Sequence, residues 1–346
     1  MRYTTLVLPL AAIAAAQEHQ VPLAPSSDRV EPLTLDAIPL LGFGTWNLKE
    51  KNTSEAVSWA IQVGYRHIDC AAIYGNEEEV GKGIADGLQK VGLKRENLWI
   101  TSKLWNDHHA PEAVKEALDV SLTKLGLDYL DLYHMHWPVS SGAGGKNQIY
   151  YLKTWEAMSE QLKAGKTRHI GVSNFSPAQL EDLLNNTSTP PQVHQFEVHP
   201  YLQQTEFLDW HSKRGIHVTA YSPLGGTNPT YKEGDKPEPL LKSTTVNKIA
   251  AKRGCTPAQV ALQFGIFRGT SVIPKSVKKD HIESNFNATR CVLKKRDLKK
   301  LADLGAYHHR YNNPAKSWDV PLYEGLEDFD GKHKRAKWFD EHKKDL

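Results

Sequence analysis

Four side chains of complementary type, Asp69, Tyr74, Lys103 and His136, could together move a proton onto or off an oxygen atom. An isolated phenol titrates near ~10. A neighbouring ammonium favours phenolate and lowers that value, so a Tyr74–Lys103 pair is expected to act as a general acid. Asp69 supplies the counter-charge that a lysine in such a place needs. His136 adds a ring nitrogen able to orient a carbonyl. Alone, each has an ordinary explanation: an aspartate capping a helix, a lysine reaching water, a packed imidazole. None of the four carries a hydride, so a reduction at this site needs a cofactor.

Such a constellation needs a scaffold that brings distant segments together. Short apolar runs predict strands at Pro39–Gly44, His67–Asp69, Leu98–Lys103, Tyr129–His136, His169–Ser173, Gln192–Val198, His217–Tyr221 and Ser271–Pro274. Amphipathic spacing predicts helices at Ser54–Val63, Asn76–Leu88, Pro111–Leu125, Tyr151–Leu162, Pro177–Leu184, Leu202–Arg214, Thr244–Arg253 and Pro257–Phe267. Asn76–Leu88 opens with glutamates that complement a helix N-terminus. Ser176 before Pro177 reads as a cap followed by proline at the first helical position. Strands alternating with helices over ~250 residues predict a single-domain α/β chain, a (β/α)8 barrel. An open doubly wound sheet is disfavoured, because Gly42-Phe-Gly44-Thr-Trp lacks the third glycine of a dinucleotide turn. In a barrel, reactive groups sit where strands end. Neighbouring strands lie ~4.8 Å apart, so Asp69, Lys103 and His136 would crowd one side of the mouth.

From Gly42-Phe-Gly-Thr-Trp46 to Ile273-Pro-Lys-Ser276 the chain resembles the aldo-keto reductase family, over roughly residues 38–290. The segments Tyr65-Arg-His-Ile-Asp69-Cys-Ala-Ala-Ile-Tyr74-Gly-Asn-Glu, Thr101-Ser-Lys103-Leu-Trp-Asn and Asp131-Leu-Tyr-His-Met-His136-Trp-Pro carry the resemblance in order and spacing. It implies an NADP-dependent oxidoreductase that reversibly reduces aldehydes and ketones. Tyr74 would be the proton donor, Lys103 the group that lowers its pKa, Asp69 the anchor of Lys103, and His136 the orienter of the carbonyl. The family binds its dinucleotide extended across the barrel mouth, which accounts for the missing glycine motif.

The resemblance also implies cofactor contacts. Ser173, Asn174 and Gln195 would hold the carboxamide, and Tyr221 would lie under the nicotinamide. Ser222 and Leu224 would follow the pyrophosphate, and Lys275 and Ser276 would clamp the adenosine 2′-phosphate. Thr45, Trp46, His281 and Asn285 complete the expected set. His281 stands where NADP-specific relatives often have arginine. A mostly neutral imidazole replaces a permanent bidentate donor, so NADP preference with weakened discrimination against NAD is expected, Lys278 and Lys279 compensating in part. Trp46, Trp105 and Trp137 are expected to line an apolar substrate pocket.

The loop Val139–Tyr151, rich in glycine and serine, reads as mobile and as shaping the entrance. The tail 313–346, with Trp318, Tyr323, Phe329, Trp338 and Phe339, is expected to cover the mouth of the barrel, assigned to residues 37–312. Small aldehydes, aldoses and polyols such as glycerol all suit such a site. A catalytically silent, cofactor-binding barrel is the rival class, against which the complete set of four residues speaks. A glycosidase reading would nominate Glu197 and Asp69, and leaves Lys103 and Tyr74 without a role.

Composition bounds the rest. The 346 residues are 40% hydrophobic and 24% charged, with a formal charge of +3, which gives no reason to expect a nucleic-acid partner. The basic stretches Lys294–Lys300 and Lys332–Lys344 read as solvated surface. Cys70, Cys255 and Cys291 have no metal-ligand spacing and are too few for a disulfide framework, so no metal is expected. Residues 1–16 fit a cleaved signal peptide, too short to span a bilayer, followed by a lead over 17–36. Secretory or extracellular localisation follows if that peptide is used, and the sequons at Asn52, Asn185, Asn186 and Asn287 would then become glycan acceptors. A soluble monomer is the expected state, with no membrane partner.

Overall fold

The computed structural model describes residues 38–141, 146–226, 237–326 and 338–339. The expected signal peptide and lead, Phe329 and most of the basic stretch Lys332–Lys344 lie outside the described residues. Eight parallel strands form one sheet: β1 (Phe43–Gly44), β2 (His67–Asp69), β3 (Trp99–Leu104), β4 (Leu130–Met135), β7 (Thr167–Ser173), β8 (Val193–Glu197), β9 (His217–Tyr221) and β10 (Ser271–Val272). The sheet closes on itself. Val272 N donates to Leu40 O at 2.8 Å, and Gly42 N donates to Val272 O at 2.9 Å. The architecture is the expected (β/α)8 barrel.

Helices α1 (Glu50–Val63), α2 (Glu77–Val91), α3 (Pro111–Leu125), α4 (Leu152–Lys163), α5 (Pro177–Asn185), α6 (Thr205–Lys213), α7 (Thr244–Arg253) and α8 (Pro257–Phe267) connect the strands. Sequence chemistry starts several of them. Ser176 accepts from Gln179 N ahead of Pro177, and Thr256 repeats the device with Gln259 ahead of Pro257. Val57, Ile61, Val80, Ile84, Leu118 and Leu122 pack between helices and sheet in one continuous apolar layer.

Inside the barrel the packing is more polar. His217 and Ser271 meet at 2.7 Å, and Trp99 Nε1 donates to Thr101 Oγ1 at 3.1 Å. Behind β8 a histidine pair has its tautomers fixed by the backbone. His211 Nδ1 must donate to Phe207 O at 2.6 Å, so its Nε2 accepts from His194 Nδ1 at 2.8 Å. His194 Nε2 in turn accepts from Phe175 N at 3.1 Å, next to Asn174 at the barrel mouth.

Several expectations need correction. The Gly/Ser-rich loop is partly regular: β5 (Val139–Ser141) pairs antiparallel with β6 (Asn147–Ile149). Residues 142–145 lie outside the described set. Two further helices follow β10, α9 (Lys279–Phe286), whose sequence has weak periodicity, and α10 (Lys295–Ala302), an amphipathic helix whose basic residues read as solvated surface. The basic stretch at 294–300 forms most of α10 and is not wholly solvated, because buried Asp297 pairs with Arg253 Nε at 2.6 Å. Cys255 and Cys291 form a disulfide across 36 residues, so three cysteines yield one bond and one buried thiol, Cys70. In the tail, Trp318 reaches the mouth, on the short helix α11 (Ala315–Trp318). Trp338 and Phe339 instead pack on Trp210 and Phe207 of α6, because that helix presents an aromatic face away from the mouth.

Burial holds His67, His109, His169 and His217 at a pKa of about 4, and His211 at about 3. Unfolded histidines take up protons below ~6.5, whereas these stay neutral until the folded values are reached. Stability should therefore be flat above pH 6.5 and fall from there towards pH 4, by about 1.4 kcal/mol per pH unit for each such histidine. Urea unfolding at pH 8, 7, 6 and 5 checks this; a midpoint at pH 5 equal to that at pH 8 would contradict it.

Candidate active site

Parallel register carries the end of β2 alongside β3. Asp69 pairs with Thr101, and Lys103 lies two residues further on, on the same face of its strand. The Lys103 side chain is fully buried at 0% exposure, yet all three of its N–H groups find acceptors. Nζ donates to Asp69 Oδ1 at 2.5 Å, to Cys70 O at 2.8 Å and to Tyr74 Oη at 3.2 Å. Burial works to lower the lysine pKa, but Asp69 and Tyr74 together hold it above the ordinary value. The ammonium stays charged. Because Lys103 donates into the phenol oxygen, the Tyr74 proton is directed elsewhere, and Tyr74 lines the open cleft.

Local sequence sets this position. Tyr74 ends a single turn of 3-10 helix, Ala72–Tyr74. Gly75 then adopts φ +68°, a left-handed conformation that swings the chain into α2 at little steric cost. Asn76 Nδ2 ties the loop to Thr45 O and Leu48 O, each at 3.0 Å. Glu77, expected as one of the acids complementing the helix dipole, is buried. It accepts from Ser102 at 2.6 Å and Ser121 at 3.0 Å, and burial raises its pKa. A glutamate followed by exposed Glu78 and half-buried Glu79 gives no sequence signal of this role.

The phenol itself departs from expectation. Burial pushes the Tyr74 pKa up to about 12; Lys103 lowers it and Asp69 raises it. Lys103 thus limits the rise without reversing it, because the desolvated pocket penalises phenolate more than one paired ammonium favours it. The group is a fully protonated donor at neutral pH. His136 packs edge-on to Tyr74, ring centroids 5.8 Å apart, and burial together with Lys103 drives its pKa far down. The imidazole is neutral and able to share one N–H.

A cleft of about 540 Å³ opens above these groups. At one end it is bordered by Thr45, Trp46, Asp69, Tyr74, His136 and the tryptophans 105, 137 and 318. Trp318 stands edge-on to Trp105 at 5.9 Å and to Trp137 at 5.0 Å, completing an aromatic wall. From there the cleft passes Asn174, Gln195, Tyr221, Ser222 and Leu224, and ends at Lys275, Ser276, Lys278 and His281. An aromatic, neutral end and a cationic end joined by a continuous trough fit an extended dinucleotide. Asn174 and Ser222, both on the cleft wall, hold left-handed φ, at 62° and 48°.

Several expected contacts are rearranged. Ser173 is buried off the cleft wall, with Oγ accepting from Asn174 Nδ2 at 3.0 Å, and Asn285 of α9 is buried off the wall as well. Asn174 Nδ2 also donates to His136 O at 3.0 Å, and Oδ1 accepts the Tyr221 hydroxyl at 2.7 Å, which leaves one Oδ1 lone pair for a ligand. Gln195 reaches across the barrel, with Nε2 donating to Asp69 Oδ2 at 2.7 Å. The aspartate is thus gripped by Lys103 on one oxygen and Gln195 on the other. Lys279 is turned away, over the Trp59 ring at 5.7 Å, so Lys278 alone of that pair faces the trough. Asn312 also borders the cleft and donates to Tyr221 Oη at 3.2 Å; nothing in its surrounding sequence marks it. Glu197, the alternative glycosidase acid, accepts from the backbone N–H groups of Tyr311 and Asn312 and from His199, and is absent from the cleft wall.

A closed parallel barrel with a buried Asp–Lys–Tyr cluster at its carboxyl end, beside a neutral histidine, defines a class of (β/α)8 oxidoreductases. Residues 40–306 match the aldo/keto reductase family, and the chain belongs to it. It is 47% identical over 305 residues to an uncharacterized oxidoreductase of Schizosaccharomyces pombe, covering 84% of this chain and 92% of that protein. It is 39% identical over 316 residues to D/L-glyceraldehyde reductase of Hypocrea jecorina, covering 84% and 92%. Among solved structures, it is similar to a Bombyx mori aldo-keto reductase in complex with NADP, at TM-score 0.77 and 36% identity, covering 83% and 95%.

Replacing Lys103 with methionine would leave the Asp69 carboxylate buried without its cation. The single variant should lose about 3–5 kcal/mol of stability. Adding Asp69→Asn should restore a large part of that loss, because it removes the orphaned charge. Chemical denaturation of wild type, both single variants and the double variant reads the coupling; strictly additive losses would contradict the ion-pair account.

Proposed function

We propose that this chain reduces small aldehydes and short aldoses to alcohols with NADPH, reversibly, and that Tyr74 delivers the proton. One observation carries the reading. Lys103 donates to the phenol oxygen at 3.2 Å, so the phenol's own proton is left for a carbonyl in the cleft. The nicotinamide, when bound, supplies the hydride. A carbonyl oxygen seated between Tyr74 and the neutral His136 accepts hydrogen bonds from both. As negative charge grows on that oxygen, Tyr74 releases its proton. The Lys103 ammonium stabilises the phenolate left behind, and Asp69 keeps the ammonium in place. For alcohol oxidation the same groups work in reverse.

The residues that would hold the cofactor run in order along the trough. Asn174 and Gln195 would face the carboxamide, Tyr221 would lie under the ring, and Lys275 would meet the adenosine 2′-phosphate. Burial lowers the Lys275 pKa, and Lys278 and His281 border the same end of the trough. The relatives support NADP and a glyceraldehyde-type substrate; the aromatic wall also supports aromatic aldehydes.

Tyr74→Phe should lower kcat by about 10²–10⁴-fold, the worth of general acid catalysis, and leave NADPH affinity within about threefold. Turnover with a nitrobenzaldehyde and with glyceraldehyde, together with NADPH fluorescence titration, checks this; unchanged kcat would remove Tyr74 from the mechanism. Lys275→Met should raise the KM for NADPH by about 10-fold or more, as expected for a lost charge-assisted contact, and leave that for NADH within about threefold. Equal effects on both cofactors would place the 2′-phosphate elsewhere.

A further inference from the structure

Glu197, at the end of β8, is fully buried at 0% exposure and lies outside the machinery above. Its carboxylate accepts three hydrogen bonds from the neighbouring segments. Oε1 accepts from Tyr311 N at 2.8 Å and from His199 Nε2 at 2.8 Å, and Oε2 accepts from Asn312 N at 2.8 Å. Two consecutive backbone N–H groups immediately ahead of the tail therefore converge on one strand-borne charge. Charge-assisted bonds of this kind are about twice as strong as neutral ones.

What the latch holds matters to the cleft. Asn312 donates to the Tyr221 hydroxyl, and the Tyr323 hydroxyl donates to Asn312 O at 2.9 Å. Six residues on, Trp318 forms the wall that faces Trp105 and Trp137. From the other side Asn147 of β6 donates to Trp318 O at 3.2 Å. The aromatic wall is thus a tail residue set against barrel residues, and its position depends on what fastens the tail.

We propose that Glu197 is the positioning residue that latches residues 311–318 onto the barrel, and that through Trp318 it sets the preference for aromatic over three-carbon aldehydes. The inference rests on the carbonyl-reductase reading for its substrates, but not for the latch. A ring held on the carbonyl carbon reaches the Trp318 wall, whereas a three-carbon aldehyde is held mainly at Tyr74 and His136. Loosening the tail should weaken binding of the first far more than the second. In Glu197→Gln one acceptor oxygen becomes an NH2 group facing a backbone N–H, a repulsive pair in place of an attractive one.

The test uses the full-length protein. Glu197→Gln should raise the KM for 4-nitrobenzaldehyde by about tenfold, the worth of a lost buried contact of this size, and change kcat/KM for glyceraldehyde by less than about threefold. Trypsin cleavage after exposed Lys316 should accelerate by about tenfold as the segment opens. Unchanged cleavage, or faster cleavage with an unchanged ratio of the two KM values, overturns the proposal. Should Glu197→Gln fail to fold, Asn312→Pro and Asn312→Ala decide. Both remove the amide side chain, but only proline removes the N–H that Glu197 accepts. The proline variant alone should accelerate cleavage after Lys316 and shift the KM ratio; identical behaviour of the two overturns the latch. Absence of NADPH turnover in wild type would refute the carbonyl-reductase reading, and the protease measurement would still decide the latch.

Discussion

The ammonium of Lys103 sits where water does not reach, and the upper barrel is arranged around that fact. A buried cation with unused donors would be costly. Here each N–H has one acceptor: a carboxylate, a main-chain carbonyl and a phenol. The same three contacts fix what each acceptor can do next. Asp69 is committed to holding, Cys70 contributes only its backbone, and Tyr74 retains a proton to give. Gln195, arriving from the opposite side of the barrel, pins the second oxygen of Asp69 and so joins two sides of the cleft. The orientation of Asp69 and Tyr74 follows from one satisfied ammonium, while burial sets the protonation of Tyr74 and His136.

Around that fixed centre the cleft is built from elements of unequal rigidity. The tyrosine loop is held by Asn76 and by buried Glu77, both tied to barrel segments. The substrate wall is composite. Trp105 and Trp137 follow strand ends, and Trp318 is brought in by the tail and supported by the β5–β6 hairpin. A rigid reaction centre beside a wall assembled from distant segments lets the chemistry stay constant while the accepted substrates vary.

Much of this was legible in the residues. Strands ending at Asp69, near Lys103 and at Tyr221 were readable as short buried runs, and the four reactive side chains stand together at the barrel mouth. What escaped has physical reasons. The Tyr74 pKa moves up, not down, because desolvation depends on how closely the pocket is packed, which no spacing reports. Ser173 fell behind Asn174 because Asn174 takes a left-handed backbone and turns its amide over the serine. The helix α9 carries few apolar residues and only weak periodicity, whereas α10 is strongly amphipathic and was passed over because its lysines and arginine read as a solvated stretch. Val139–Tyr151 looked loose from its glycines and serines, yet cross-strand pairing needs only the flanking residues. The tail follows no repeating pattern; its anchor, Glu197, looked like one more strand-end acid.

The Cys255–Cys291 bond encloses α8, β10 and α9, which is to say the final stave of the barrel, the seam with β1, and the basic end of the trough. In the denatured chain a covalent ring of that size forgoes conformations worth about 4 kcal/mol on a chain-entropy reckoning. The joint where the cylinder shuts is otherwise its weakest, since β1 and β10 each contribute only two residues of regular strand. Oxidation thus reinforces the circumference at its shortest weld, and a backbone nick within that stretch would leave both fragments fastened to the rest.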